Sequence, residues 1–504
     1  LSLKSISINN APHELEGLIV QLLRRDSSVS PFEIRSAVTS FLKDRIGIKN
    51  LLKNNNTSWI EENIGSVLAV LDKSELLLVY LKIVPIADLE FEGLFARIRH
   101  VLLSLILKGN AEFKYDNVLI SLASQCFINE YVYREFEGDN FLIKEMEERV
   151  GAAFKNKVIP PIYYLICLSM FKPISEYSWH KLVLEIEGLE LIKKLHIEEP
   201  QEEIRYKESI DRLTEITNKT SVNVNAQYEE NPYPRWIKTA IPIAPLDIEA
   251  WLSKENLLFE KTPPVDGKLK VLIAGCGTGQ HSIQTATVFS NCQVRAIDLS
   301  LASLGYAKRK SREFGINNID YFQADILKLN NHSERYDLIE SVGVLHHLKE
   351  PIEGWSILVK LLKRGGIMRL GFYSAIARES VNKVRRQIKI QQIESTVSQM
   401  KIFRQKLINE NKKEYKDILI SQDFYGLSGF RDLLFHAQES QFTLLEISQH
   451  LSDLGLRFCG FDSSTIHRRY VNRSDWYNLN AWHEYEKKNT RTFGGMYQFW
   501  CQKI

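Results

Sequence analysis

The spacing of apolar residues divides the chain into a helical first part and an α/β second part. From residue 1 to about 225, apolar residues recur every three or four positions, as in Leu15, Leu18 and Leu22. This spacing is typical of the buried face of an amphipathic helix. The same pattern predicts helices at 66–81, 94–107, 118–133, 161–171 and 178–195. We therefore expect residues 1–225 to be a helical region, whose helices either only pack on one another or also provide a surface for dimerisation or substrate docking.

From residue 268 onwards, short apolar runs alternate with segments of helical period. Strands are predicted at 270–274, 293–297, 319–323, 336–340, 366–372, 457–461 and 496–502. Alternating strands and helices are typical of a doubly wound sheet. The expected fold class is α/β, with a seven-stranded Rossmann-like core over 261–376 that residues 421–504 complete.

Two stretches interrupt this plan. Residues 226–260 hold prolines and the aromatic residues Tyr228, Tyr233 and Trp236, which predict an extended segment. This segment is either a linker with packing aromatics or a strap over a ligand. Residues 377–420 predict a basic helical insert, because 377–417 contain eleven Lys or Arg against five acids. The insert is either a solvated helix or a surface for an anionic partner.

Composition restricts the compartment and the partners. A chain of 504 residues predicts two to four domains, and a net charge of +3 does not by itself imply a nucleic-acid or membrane partner. The six cysteines are scattered without a CxxC pair, which favours a cytoplasmic protein with reduced thiols and no metal site. The longest apolar runs are too short to span a bilayer. Polar and acidic residues within the first twenty positions predict no signal peptide.

The first predicted strand ends in a glycine-rich loop, Gly275-Cys276-Gly277-Thr278-Gly279. Glycines allow a backbone to pass close to a ligand, and the following helix N-terminus offers unpaired N–H groups. Position 280 is Gln, so the spacing is G-x-G-x-G and not the G-x-G-x-x-G of dinucleotide sites. Asp298 ends the second strand, where a carboxylate can accept both hydroxyls of a ribose.

The glycine loop, Asp298, Ala324-Asp325 and the string 337–348 together resemble a class I S-adenosylmethionine-dependent methyltransferase. The resemblance implies that the loop faces the amino-acid portion of S-adenosylmethionine and that Asp298 takes the ribose. It also implies that Asp325 accepts from the adenine amino group, beside Ile326. The implied cofactor-binding residues are Ala274, Gly275, Cys276, Gly277, Thr278, Gly279, Asp298, Leu299, Ala324, Asp325, Ile326, Ser341, Val342 and Gly343. Where the family usually has an acid for the methionine ammonium, this chain has Ile273, so backbone carbonyls or residues from elsewhere must hold that group.

Residues 231–236, 274–280, 298–303 and 423–436 are similar to a narrower group, the rickettsial protein-lysine methyltransferases that act on outer membrane protein B. That resemblance implies a dimeric enzyme that methylates lysines of an unfolded surface protein before its export. Methyl transfer to lysine needs a neutral amine, which costs about 4 kcal/mol near neutral pH. An aromatic, partly dry channel reduces that cost.

The candidate catalytic residues are Tyr233, Trp236, Tyr373, Tyr425 and His436 for the channel, with His346 or His347 as the proton acceptor. The pair His346-His347 could instead position the backbone, and Tyr425 and His436 could be core residues. Two other functions stay open, an RNA methyltransferase that uses the basic insert and a non-catalytic cofactor-binding scaffold. The insert lacks interleaved aromatics for base stacking, so a nucleic-acid partner is not expected.

Overall fold

The computed structural model describes residues 13–25, 29–54, 56–109, 115–462, 466 and 472–504, which form two compact units. The helical unit comprises Leu1–Glu202, Arg235–Ile241 and Ile393–Leu433. The sheet unit comprises Glu203–Pro234, Pro242–Gln392 and Leu434–Ile504. Both the predicted strap and the predicted basic insert contribute residues to each unit. The part of the signal-peptide prediction that falls on residues 1–12 lies outside the described residues.

In chain order, the helices are α1 (His13–Arg24), α2 (Arg35–Asp44), α3 (Ile46–Lys53), α4 (Thr57–Asp72), α5 (Glu75–Leu81), α6 (Leu89–Leu107), α7 (Asp116–Ile128), α8 (Asp139–Lys155), α9 (Ile162–Ser169), α10 (His180–Val183), α11 (Glu190–Lys193), α12 (Glu199–Glu208), α13 (Lys219–Glu230), α14 (Ile248–Lys254), α15 (Gln280–Val288), α16 (Leu301–Glu313), α17 (Pro351–Leu361), α18 (Glu379–Ile390), α19 (Val397–Glu410), α20 (Lys416–Leu419), α21 (Leu427–Phe435), α22 (Leu444–Asp453) and α23 (Leu479–Lys488).

The helical unit is organised around α6, most of whose residues are buried. Asp88 begins this helix, because its side chain accepts hydrogen bonds from the N–H groups of Glu90 and Phe91. The helix predicted at 66–81 is two helices, since the Ser74 side chain caps a new start by accepting from Leu77 N–H. On α19, Arg404 forms a buried bidentate ion pair with Glu92, with both N–O distances 2.6 Å.

The described part of the sheet unit contains eight strands. They are β1 (Asp211–Arg212), β2 (Leu269–Ala274), β3 (Cys292–Asp298), β4 (Ile319–Gln323), β5 (Tyr336–Val342), β6 (Leu362–Phe372), β7 (Leu456–Phe461) and β8 (Tyr497–Lys503). Their order in the sheet is β1-β4-β3-β2-β5-β6-β8-β7. Strands β1 to β6 are parallel, and β8 is antiparallel to both β6 and β7.

The α/β fold class is confirmed, with one strand more than predicted. All seven predicted strands are present, and the eighth is β1, two exposed residues inside the region expected to be helical. Helices cover both faces of the sheet. Because side chains on both faces of the central strands are buried, the sequences of these strands are nearly continuous apolar runs. The carboxyl ends of β2 to β5 therefore meet at one edge, where polar side chains can face a ligand.

Two findings bear on the compartment. Among the described helices, none has the length and apolar character that a membrane crossing requires. All six cysteines lie in the described chain, and each is buried and free. The cytoplasmic location stays a prediction.

Candidate active site

The glycine loop turns sharply at the end of β2. The N–H groups of Gly275 and Cys276 both donate to the Ile297 carbonyl, at 2.8 and 2.9 Å, which ties the loop to β3. Gly277 has φ +50°, and a Cβ atom there would lie 2.7 Å from the carbonyl oxygen of Tyr233. A side chain at position 277 would thus push against the backbone that covers the loop.

The covering backbone is the segment Tyr233–Pro234 of the predicted strap. Fully buried Thr278 donates its hydroxyl to the Pro234 carbonyl at 2.5 Å. Together with the close approach at Gly277, this bond fixes Tyr233–Pro234 directly over the glycine loop. These two residues therefore pack on the glycine loop, and their role as a strap over a ligand stays a prediction.

Asp298 connects the loop to the end of β3. Its Oδ2 accepts from Gly277 N–H at 2.8 Å, and its Oδ1 accepts from Ser300 N–H at 2.9 Å. Burial raises the pKa of the Asp298 carboxyl, and these N–H groups act in the opposite direction. Each carboxylate oxygen has a second lone pair, so Asp298 can still accept ribose hydroxyls. The adjacent Leu299 carbonyl accepts from the Gln323 side chain at 2.8 Å.

Ala324, Asp325 and Ile326 follow β4 and are buried. Asp325 Oδ1 accepts from Leu327 N–H at 3.0 Å. Its Oδ2 is buried and has no hydrogen-bond partner in the described part of the chain. A buried carboxyl oxygen without a donor is costly, and the amino group of an adenine ring would supply one. This atom fits the adenosine end of S-adenosylmethionine.

Ser341, Val342 and Gly343 end β5 beside the glycine loop. The Ser341 hydroxyl donates to the Ala274 carbonyl at 3.0 Å, and Gly343 N–H donates to the Gly371 carbonyl at 3.3 Å. All the predicted cofactor-binding residues thus lie within the sheet unit, at the carboxyl edge of β2 to β5. Their contacts with a ligand stay a prediction.

His346 and His347 follow β5 in the chain, and the ring of His436 stacks on His347. We call these three residues the histidine cluster. The His346 ring lies 4.2 Å from that of His347, which stacks on His436 at 3.6 Å. Burial, then the neighbouring His347 and Arg378, hold the pKa of His346 well below its ordinary value. Burial, His347 and Arg385 do the same for the pKa of His436. These two imidazoles are therefore neutral at physiological pH.

Tyr373, after β6, joins the histidine cluster to an arginine pair. Its ring lies 4.2 Å from that of His346, and the Arg378 guanidinium lies 3.7 Å from its centre. Arg378 and Arg385 both bind the buried carboxylate of Glu439, at 2.7 and 2.9 Å. The Arg378 guanidinium thus contacts both the Tyr373 ring and the Glu439 carboxylate.

The sequence pattern did not single out the hydroxyl of Tyr228 for this group. It lies 3.1 Å from His436 Nε2, while His436 Nδ1 accepts from Gln438 N–H at 3.0 Å. A neutral imidazole that accepts at Nδ1 carries its proton on Nε2, so His436 donates to Tyr228. His347 Nδ1 lies 2.8 Å from the Gln438 carbonyl and donates to it.

The structure places Trp236 and Tyr425 in the helical unit. Both are buried there, and the Tyr425 hydroxyl donates to the Leu419 carbonyl at 2.8 Å. Burial raises the pKa of Tyr425. Tyr233, His346, Tyr373 and His436 belong to the sheet unit. The catalytic role of all six residues stays a prediction.

Ile273 is buried in β2, opposite Glu340 of β5 in the sheet register. Burial disfavours the charged form of Glu340, but His281 and Arg369 outweigh it and lower its pKa to about 2. The carboxylate is bound to His281 and also accepts from Thr285 at 3.0 Å. Glu340 is thus a buried anion with its own partners on α15 and β6.

Comparison with known proteins identifies part of the chain. Residues 266–423 match the sequence model of a family described as a methyltransferase domain. An uncharacterised protein of Synechococcus is 26% identical over 234 residues, which are 42% of this chain and 56% of the relative. A ubiquinone biosynthesis O-methyltransferase of Actinobacillus pleuropneumoniae is 32% identical over 139 residues, 27% of this chain and 53% of the relative.

Among solved structures, PKMT2 from Rickettsia typhi matches with a TM-score of 0.38 and 18% identity. The match covers 49% of this chain and 50% of that one. The chain spans about half the length of the curated relatives that it matches.

Proposed function

We propose that this chain, in which residues 266–423 form a class I methyltransferase domain with S-adenosylmethionine as cofactor, methylates lysine side chains of a protein. The proposed substrate is an unfolded outer membrane surface protein, as the resemblance of 231–236 and 423–436 implies. The observation that carries the proposal is the histidine cluster with Tyr373 and the arginine pair, next to Ser341–Gly343.

The chemistry of this cluster suits an amine acceptor. The cofactor, when bound, supplies an electrophilic methyl group on a sulfonium, and the acceptor must offer a lone pair. A lysine ammonium needs about 4 kcal/mol to lose its proton near neutral pH. Burial disfavours the charged form of an amine, and the nearby Arg378 guanidinium acts in the same direction, so the site favours the neutral amine.

The proton that the amine loses needs an acceptor. His347 is buried, and the Gln438 carbonyl orients its ring through Nδ1. We assign the proton transfer to His347 Nε2. His346 and His436 remain neutral because of their lowered pKa values, and His436 orients the hydroxyl of Tyr228.

The test is transfer of labelled methyl from S-adenosylmethionine to an unfolded outer membrane protein, with RNA in a parallel reaction. We expect label on lysines, located by mass spectrometry. Asp298→Ala should abolish it by removing the carboxylate at the end of β3. Asp320→Ala is the matched control, because this exposed aspartate lies near the start of β4, away from the carboxyl edge, and accepts a hydrogen bond from the Gln293 side chain.

The outcomes separate the alternatives. Label on RNA and none on protein would refute the lysine proposal in favour of the RNA methyltransferase. Binding of the cofactor without label on protein or RNA would favour the scaffold. The proposed dimer is tested separately by light scattering, and a monomeric mass would contradict it. The cytoplasmic location follows from a substrate that is methylated before export.

A further inference from the structure

A short segment ahead of the methyltransferase domain reaches the adenosine end of the site. We call residues 211–217 the edge segment. It begins with β1, where Arg212 pairs in parallel with Gln323 of β4, and Leu213 N–H donates to the Gln323 carbonyl at 2.9 Å. The next residue, Thr214, accepts from the N–H of Asp325 at 2.8 Å through its hydroxyl. The edge segment therefore fixes the backbone of the residue with the unpartnered carboxyl oxygen.

A cleft with a volume of about 780 Å³ borders this contact. It is lined by residues 212–217 of the edge segment together with Asn225, Glu229, Leu301 and Gln323. Two lining residues bond to the predicted adenosine site, Thr214 to Asp325 and Gln323 to Leu299. The cleft and the adenosine site thus share a wall.

Helix α13 forms another part of this wall. Glu229 accepts from Ala302 N–H at 3.0 Å and from the Ser300 hydroxyl at 3.2 Å. Asn225 Oδ1 is buried without a hydrogen-bond partner in the described chain. Glu229 also accepts from Lys207, so both of its oxygens are bonded, and Asn225 Oδ1 is the acceptor that this wall leaves for an N–H donor of a ligand.

We propose that the edge segment is part of the cofactor site and that Thr214 is a positioning residue for adenine recognition. By holding the Asp325 N–H, Thr214 orients the Asp325 carboxyl so that Oδ2 accepts from the exocyclic amino group of adenine. Thr214 lies outside the matched residues 266–423, so the domain recruits this contact from the preceding chain. The inference rests on the cofactor of the proposed function and not on its lysine substrate.

The consequence is discrimination between adenine and a 6-oxo purine. Hypoxanthine has a carbonyl oxygen where adenine has the amino group, and two acceptors facing each other repel. Asp325 held in place should therefore reject S-inosylhomocysteine in favour of S-adenosylhomocysteine. Without the Thr214 hydroxyl, the carboxyl can move away, and the discrimination should fall.

The experiment measures the dissociation constants of both ligands by isothermal titration calorimetry, with the full chain and no protein substrate. For Thr214→Val we expect weaker binding of S-adenosylhomocysteine by about three- to tenfold, the usual effect of one hydrogen bond. The ratio of the two constants should fall by a similar factor. Thr214→Ser, which keeps the hydroxyl, should retain the wild-type ratio.

The matched control is Thr287→Val, because the Thr287 hydroxyl donates to carbonyls of its own helix α15. An unchanged ratio in Thr214→Val, or an equal weakening of both ligands, would overturn the inference, since a purely structural defect affects the two alike. Failure of the wild type to bind S-adenosylhomocysteine would overturn it too. Binding with the expected ratio but no lysine methylation would refute only the proposed function.

Discussion

Replacement of Gly277 by alanine tests whether the Tyr233–Pro234 backbone covers the glycine loop. The new Cβ atom would lie 2.7 Å from the Tyr233 carbonyl oxygen, in a residue with φ +50°. Gly267→Ala is the matched control in the same unit, since Gly267 has φ +77° and open space around its missing Cβ. Gly267→Ala introduces only the strain of an alanine in a left-handed conformation. Gly277→Ala introduces the same strain and also the overlap with the Tyr233 carbonyl oxygen.

The two contributions can be estimated separately. A left-handed conformation costs an alanine roughly 1–2 kcal/mol. Alanine also lowers the conformational entropy of the unfolded chain relative to glycine, which offsets about 0.4–1 kcal/mol of this cost. Gly267→Ala should therefore lower the free energy of unfolding by about 1 kcal/mol. Overlap with a fixed backbone atom adds about 1–3 kcal/mol, so Gly277→Ala should lose about 2–4 kcal/mol.

The assay is urea unfolding followed by tryptophan fluorescence, together with calorimetric binding of S-adenosylhomocysteine. We expect Gly277→Ala to bind at least about tenfold more weakly, because relief of the overlap displaces the loop or its cover; tenfold corresponds to about 1.4 kcal/mol. Gly267→Ala should bind as the wild type does. Equal loss of stability in the two variants, with unchanged binding in both, would refute the placement of Tyr233–Pro234 over the loop.

Three further predictions concern buried charges. Arg404→Met should lower the free energy of unfolding by about 3–5 kcal/mol, because it leaves the Glu92 carboxylate buried and unpaired. The double variant with Glu92→Leu should recover most of this loss. A double variant no more stable than the single one would contradict this prediction. Glu340 has a folded pKa of about 2, below its ordinary value of 4.5, so its stabilisation is complete above pH 4.5 and is lost as the pH falls towards 2. In urea titrations over this pH range, Glu340→Gln should therefore reduce the total change of the unfolding free energy by at most about 3 kcal/mol. An unchanged pH dependence would count against a lowered pKa of Glu340. Arg378→Met removes a cation next to Tyr373, so the rate of methyl transfer at neutral pH should fall about tenfold and its pH profile should move to higher pH. The affinity for S-adenosylhomocysteine should not change. An unshifted pH profile would exclude a role of Arg378 in favouring the neutral amine.

The strands, and the position of the candidate cofactor residues at their ends, could be predicted because both depend on local order in the chain. An apolar run that ends in Gly275 or in Asp298 places these residues at the carboxyl edge of a parallel sheet, whatever the remaining chain does. Asp325 follows β4 in the same way. Each of these strands therefore places the residue at its carboxyl end at the candidate site.

Contacts between distant segments could not be predicted in this way. Tyr228 and His436 are 208 residues apart, and Thr214 and Asp325 are 111 apart, so only the folded sheet unit brings each pair together. Strand β1 has two exposed residues and no apolar period, which is why the pattern did not predict it. Its pairing depends on the edge of β4 and not on local preference.

Neighbouring aromatic residues also suggested a common site that the structure distributes between two units. Tyr233 and Trp236 are three residues apart in the chain, yet Tyr233 belongs to the sheet unit and Trp236 to the helical unit. The extended segment predicted for 226–260 is wrong at 226–230, which belong to α13, and at 248–254, which form α14. Where the chain is extended, its conformation does not determine which unit each side chain joins.

The position of β8 in the sheet has a consequence for the time at which the protein can fold during synthesis. β8 lies between β6 and β7, although both precede it in the chain, and β7 has no other partner among the described strands. A nascent chain that has released everything up to β8 from the ribosome therefore still exposes an edge of β6 and leaves β7 unpaired. Until residues 497–503 emerge, this part of the sheet is open to pairing with other chains, so a growing chain that still lacks β8 depends on chaperones.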